Sequence, residues 1–119
     1  MSAKREDEIM IQDTLAKIEA QIQNASSLTP ERRAELIKSL ETLKAEVNDL
    51  ARTNQEDAAS IAGFTGVSTY EATRAQKNPE LLQHSLDGLS ASAVQFEKSH
   101  PRLYKAVESI SNTLSNIGI

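Results

Sequence analysis

Four stretches of this chain place apolar residues alternately four and three positions apart. That spacing gathers them on one face of an α-helix and matches a coiled-coil seam. Ile11, Leu15, Ile18 and Ile22 form the first run, and Leu36, Leu40, Leu43, Val47 and Leu50 the second. Leu82, Leu86, Leu89, Ala93 and Phe96 form the third, and Leu103, Val107, Ile110, Leu114 and Ile117 the fourth. No stretch sustains the period-two alternation of a half-buried strand. The chain is therefore read as all-α.

Capping signals divide the runs. Thr29-Pro30-Glu31 and Asn78-Pro79-Glu80 each offer an N-cap side chain, a proline at the first helical position and an acid in the first turn. Pro101 opens the last helix, with Ser99 or His100 as its cap, and biases His100 away from the helical region. Asn24 to Ser27 break the first helix with small polar residues. Gly118 is expected as a left-handed C-cap, with Ile119 folding back on the last turn. These signals predict helices over 8–24, 30–52, 79–98 and 101–117. Residues 53–78 read as a partly helical connector: continuing the second seam puts Asn54 and Asp57 at core positions, and Gly63 and Gly66 punctuate any helix formed there. Gly88 is a weak point within its helix unless a close neighbour needs the room.

Size and composition bound the function. A chain of 119 residues fits one helical domain, 1–119. With no cysteine there is no disulfide framework, thiolate metal site or cysteine nucleophile. A net charge of -4 argues against nucleic acid and anionic lipid as partners. Apolar runs such as Ile9-Met10-Ile11 fall far below the roughly 20 residues needed to cross a bilayer. The charged first ten residues hold no apolar core of a signal peptide. The expected location is the cytoplasm.

Candidate chemistry is sparse. Glu97 and His100 have the Glu-x-x-His spacing of carboxylate-bridged metal bundles. Such a site needs two of these motifs and two further glutamates on unbroken helices, and here Pro101 ends the only one; no metal or cofactor is expected. No Gly-x-Ser-x-Gly elbow or phosphate loop is present, so the chain is read as a non-enzyme. His100, Arg102, Tyr104 and Lys105 form a candidate anion or ligand site at the start of the last helix, where free N–H groups point outward; the plainer reading is salt pairing of these cations with Glu97 and Glu108. The last helix carries Ser109, Asn112, Thr113 and Asn116 and no charge after Glu108, so its polar face is a candidate interface. Narrow seams bury less than a broad apolar stripe, which favours self-association, most simply a two-fold dimer. The architecture expected is two helical hairpins in a four-helix bundle or an antiparallel coiled coil. The function expected is a scaffold or interaction role through a second copy or a protein partner, with a small-ligand or anion-binding bundle as the alternative.

The run Phe96-Glu97-Lys98-Ser99-His100-Pro101-Arg102-Leu103, closed by Leu114 to Ile119, resembles a family of small bacterial helical proteins of unknown function. Members end in a Phe-Glu-x-x-His-Pro-x-Leu helix that terminates in Gly-Ile, after a Leu-rich hairpin. The resemblance implies a bacterial helical protein without an assigned activity. It gives structural weight to Phe96, His100, Pro101, Gly118 and Ile119.

Overall fold

Pro30, Pro79 and Pro101 each stand at the first position of a helix. A computed structural model describes residues 3–118, and Ile119 lies outside the described residues. The helices are α1 (Ala3–Asn24), α2 (Pro30–Ala51), α3 (Gln55–Thr73), α4 (Pro79–Ala93) and α5 (Pro101–Gly118), with a 3-10 turn at Val94–Phe96. Among the described residues there is no strand.

Local chemistry explains the starts. Thr29 Oγ1 accepts from the Arg32 N–H at 3.1 Å, and Asn78 Oδ1 from the Leu81 N–H at 3.1 Å. Each side chain satisfies a donor that has no partner within its own helix. The end of α1 is closed from outside. Its last turn carries no cation, and Arg33 of α2 reaches back to supply one. Arg33 Nη1 donates to the carbonyls of Ile22 (2.5 Å) and Gln23 (3.1 Å), and Nη2 to those of Ala25 (3.0 Å) and Leu28 (3.3 Å). A planar guanidinium can serve several carbonyls at once, and its charge opposes the negative end of the helix dipole. Lys77, in the turn before α4, closes α5 in the same way, its Nζ donating to the Ile117 carbonyl at 2.7 Å.

α1 and α2 form an antiparallel hairpin, tied across by Gln12 to Asn48 (2.5 Å) and by the Lys44–Glu19 ion pair (3.6 Å). α3 then returns parallel to α1. Gln55 donates to Glu8 at one end (3.4 Å), Gly66 faces Thr14 and Ile18 midway, and Ser27 donates to the Thr73 carbonyl at the other end (3.1 Å). The seam residues of α1 and α2 are buried, as are Leu82, Leu86, Leu89, Leu103, Ile110 and Leu114.

Four expectations are adjusted here. The connector is a full helix, and α3 is the centre of the bundle, touching each of the other four helices. Its inward face is made mostly of small residues, Ala58, Ala62, Thr65, Ser68, Thr69 and Ala72, around one large apolar one, Ile61. Three buried hydroxyls satisfy themselves along the helix: Thr65, Thr69 and Thr73 each donate to the carbonyl four residues earlier, at 2.7–2.8 Å. Small residues let four neighbours approach one axis. Asn54 takes the N-cap position of this helix and Asp57 its first turn, where a carboxylate suits the dipole; neither is buried in the core.

Second, the overall extents are 39 × 30 × 24 Å with a radius of gyration of 13.6 Å, the size of a compact domain of this length. The helices therefore pack as the all-α bundle expected from the sequence, with α3 as a fifth helix beside the four counted there. Third, Gly118 is no left-handed cap. It remains helical, and no described glycine has a positive φ. A Cβ there would overlap Leu82 Cδ2 and lie 3.2 Å from the Ala72 Cα, so glycine is required by close packing of α5 on α3 and α4. The third predicted helix also ends early. α4 stops at Ala93, and the 3-10 turn tucks Phe96 inward ahead of the corner at His100.

Candidate functional site

The side of α3 that faces solvent is the most unusual surface of the molecule. From Ala58 to Tyr70 the helix carries no charged residue. Val67 is 51% exposed, Tyr70 52% and Phe64 40%. Glu56, Ser60, Gly63, Val67, Tyr70 and Arg74 step along this side by four and three, the spacing of a packing seam, while the inward face packs on the rest of the bundle. Arg74 at its end pairs with the buried Glu71 at 3.0 Å and lies over the Tyr70 ring at 5.7 Å. Phe64 leans toward α4, its ring lying on Gly88; the glycine that reads as a weak point in the sequence makes room for that ring. Reading the stretch as a connector hides this face in the sequence. The signal is present all the same, in the unbroken four-three spacing from Glu56 to Arg74.

The His100 corner separates the candidate anion residues. The His100 ring meets the buried Phe96 edge-on, 5.5 Å between centroids and 90° between planes, and its Nδ1 lies 3.0 Å from Ser99 Oγ. Arg102 and Lys105 are exposed on one side of α5, and neither enters an ion pair among the described residues. Tyr104 turns the other way, into a groove of about 290 Å³ between α4 and α5. The groove is edged by Gln83, Asp87, Glu108 and Asn112. Glu108 and then Glu97 hold the Tyr104 phenol above its ordinary pKa, with a smaller contribution from desolvation. The field at Tyr104 is thus negative, which opposes an anion there. The Ser111 hydroxyl, on the same groove, is buried without a hydrogen-bond partner. Among the described residues no group of three or more His, Asp and Glu could hold a metal ion. His84 and Glu80 form an exposed surface pair at 3.7 Å.

The polar face of α5 divides. Thr113 is buried, and its hydroxyl lies 3.1 Å from both Glu35 Oε1 and the Ser109 carbonyl. The Ser109 hydroxyl lies 3.5 Å from that of Ser39 on α2. Thr113, a candidate interface residue, therefore serves a contact within the chain, because α2 packs along that side of α5. Asn112 and Asn116 remain exposed.

The model of a domain of unknown function, DUF4404, matches residues 36–119. The chain belongs to the DUF4404 family. Its match starts inside α2 and takes in α3, α4 and α5 entire, so the α3 face, the His100 corner and the α4/α5 groove all lie within the DUF4404 portion, while α1 lies outside it. No curated protein and no solved structure matches the chain at a significant level. Among the described residues no helix is long and apolar enough to cross a membrane.

Proposed function

We propose that this member of the DUF4404 family is a non-enzymatic bacterial protein of the cytoplasm that acts by helix–helix association, with a second copy of itself in first place. One observation carries the reading: α3 is packed on its inward faces, yet keeps an outward side with Phe64, Val67 and Tyr70 exposed and no charge between Asp57 and Glu71. Depletion of charge with retention of exposed aromatic and aliphatic groups is the compositional mark of an interface centre. The Phe96-to-Leu103 run, which carries the likeness to small bacterial proteins, supports the fold in this reading, because it sets the corner that lays α5 against α2 and α4. Sedimentation velocity of the full chain tests the reading: a concentration-dependent rise above the mass of one chain is expected, and a 13.0 kDa species at every concentration rejects self-association.

The α4/α5 groove favours a second reading, a small-ligand site, on account of the unpartnered Ser111 hydroxyl. With Asp87 and Glu108 at its edge, the groove suits a cationic amine rather than an anion. A thermal-shift comparison of spermidine with phosphate decides it: stabilisation by the amine alone supports the site, and no shift with either removes it.

A further inference from the structure

We infer that the outward seam of α3 is an isologous interface on which a second copy of this chain docks antiparallel, with the two-fold axis passing beside position 65. The inference builds on the self-association reading and specifies the surface and its geometry.

The order of residues along the seam is the first support. Glu56 and Arg74 stand nine positions either side of residue 65, Ser60 and Tyr70 five, and Gly63 and Val67 two. In an antiparallel two-fold pair, positions equally distant from the centre come face to face. Glu56 of one copy then meets Arg74 of the other, Ser60 meets Tyr70, and Gly63 meets Val67. Glu56 then reaches an Arg74 guanidinium that it shares with Glu71 of the other chain, and at each inner level a small residue faces a large one, the complementarity that lets two helices interdigitate. A parallel pairing would set Glu56 against Glu56 and Tyr70 against Tyr70, with like charges opposed at the Glu56 end and large residues opposed at the other. A two-fold interface requires a self-complementary surface, and this order of residues is self-complementary in one direction only.

Gly63 supplies an independent observation. A glycine within a helix costs about 1 kcal/mol relative to alanine. Gly88 and Gly118 have a reason inside the fold, since a side chain at either would strike a neighbour. At Gly63 an added Cβ would meet nothing within 4 Å, so no neighbour in the chain requires its absence. In the proposed pair Gly63 lies at the closest approach of the two helices, where the absence of a side chain admits Val67 of the second copy. The seam runs from Glu56 to Arg74, the residue that caps the helix, over about 27 Å. A contact of one helix pair belongs to the smaller class of interfaces, so the dimer forms in a concentration-dependent manner.

The test uses the full chain and sedimentation velocity from low micromolar to near-millimolar concentration. The wild-type chain is expected to pass from monomer to dimer. Gly63→Arg points a long side chain into open space, so helicity by circular dichroism is retained, and the dissociation constant rises at least tenfold. Because the chain has no cysteine, introduced thiols report the direction. A short bismaleimide should link Gly63→Cys to itself. It should not link Glu56→Cys to itself, yet should link Glu56→Cys to Arg74→Cys when the two are mixed. A monomer at every concentration overturns this interface and the self-association reading together. A dimer that withstands Gly63→Arg, or in which Glu56→Cys links to itself, overturns this interface and leaves self-association standing on another surface.

Discussion

The side chain of Leu82, at the start of α4, occupies the space that a Cβ of Gly118 would fill at the end of α5, with the Ala72 backbone of α3 close behind it. Leu82 is 1% exposed, so moving its side chain aside means displacing core neighbours, and the Ala72 backbone, 3.2 Å from such a Cβ, leaves little space on the other side. Gly118→Ala is therefore expected to lower stability by about 1–3 kcal/mol, the usual cost of overpacking, despite alanine's better helix propensity. Gly88→Ala should cost less, because the Phe64 ring above it is 40% exposed and can swing toward solvent. Urea unfolding of both variants checks the order, and an equal or greater loss at Gly88 contradicts it.

Arg33 is a second point where one side chain holds two elements. It donates to four carbonyls at and beyond the end of α1, so Arg33→Met leaves them without a charged donor. Hydrogen bonds to charged groups contribute about 1.5–3 kcal/mol in such comparisons, and a loss in that range is expected. Arg33→Lys should fall between, since an ammonium keeps the charge at the helix end without the span of the guanidinium. Denaturant midpoints of the two variants measure the difference; a lysine variant equal to the methionine one would show that the charge contributes nothing.

The corner between α4 and α5 is held by packing. Phe96 is 6% exposed and Leu103 is fully buried, one before the turn and one after it. Phe96→Ala should cost about 3 kcal/mol by emptying part of the core. Pro101→Ala should cost less than about 1 kcal/mol, because it removes only the restriction that proline places on the unfolded chain. A large loss of helicity in the proline variant, seen by circular dichroism, would show that its fixed φ sets the corner instead.

Tyr104 couples folding to alkaline pH. Its pKa in the folded chain is raised, chiefly by Glu108 and then Glu97, so the unfolded chain gives up this proton first. Above the unfolded tyrosine value of about 10 the unfolded state thus gains relative to the folded one. The contribution is fully present below that pH and is lost as pH rises through the folded value. Glu108→Gln should bring the Tyr104 titration back toward its ordinary range, read from phenolate absorbance in a Tyr70→Phe background. An unchanged titration curve would show that Glu108 is not the source of the shift.

Whether a feature is legible in the sequence depends on how local its cause is. Thr29-Pro30 and Asn78-Pro79 start helices where expected because capping acts between neighbours in the chain. Phe96, Leu103 and the leucines of the α2 and α4 seams are buried where their spacing puts them. Thr113 escapes such a reading because its partner, Glu35, lies 78 residues away and no signal beside Thr113 announces it. Tyr104 falls beside Arg102 and Lys105 in sequence, while the turn of the helix sends it to the opposite side, toward Glu108.

Spacing and capping residues alone establish that this chain is all-α, where most of its helices begin, and which aliphatic residues face inward. Capping and amphipathic periodicity are properties of a few neighbouring residues, and no later packing event has to be known to read them. Packing between distant segments is what makes residues 55–73 the central helix, Gly118 a contact rather than a cap, and the solvent side of α3 an uncharged one. Small residues such as Ala62, Thr65 and Ala72 carry no strong burial signal of their own. They become core when four other helices close around them, and that closure depends on residues far away in the chain.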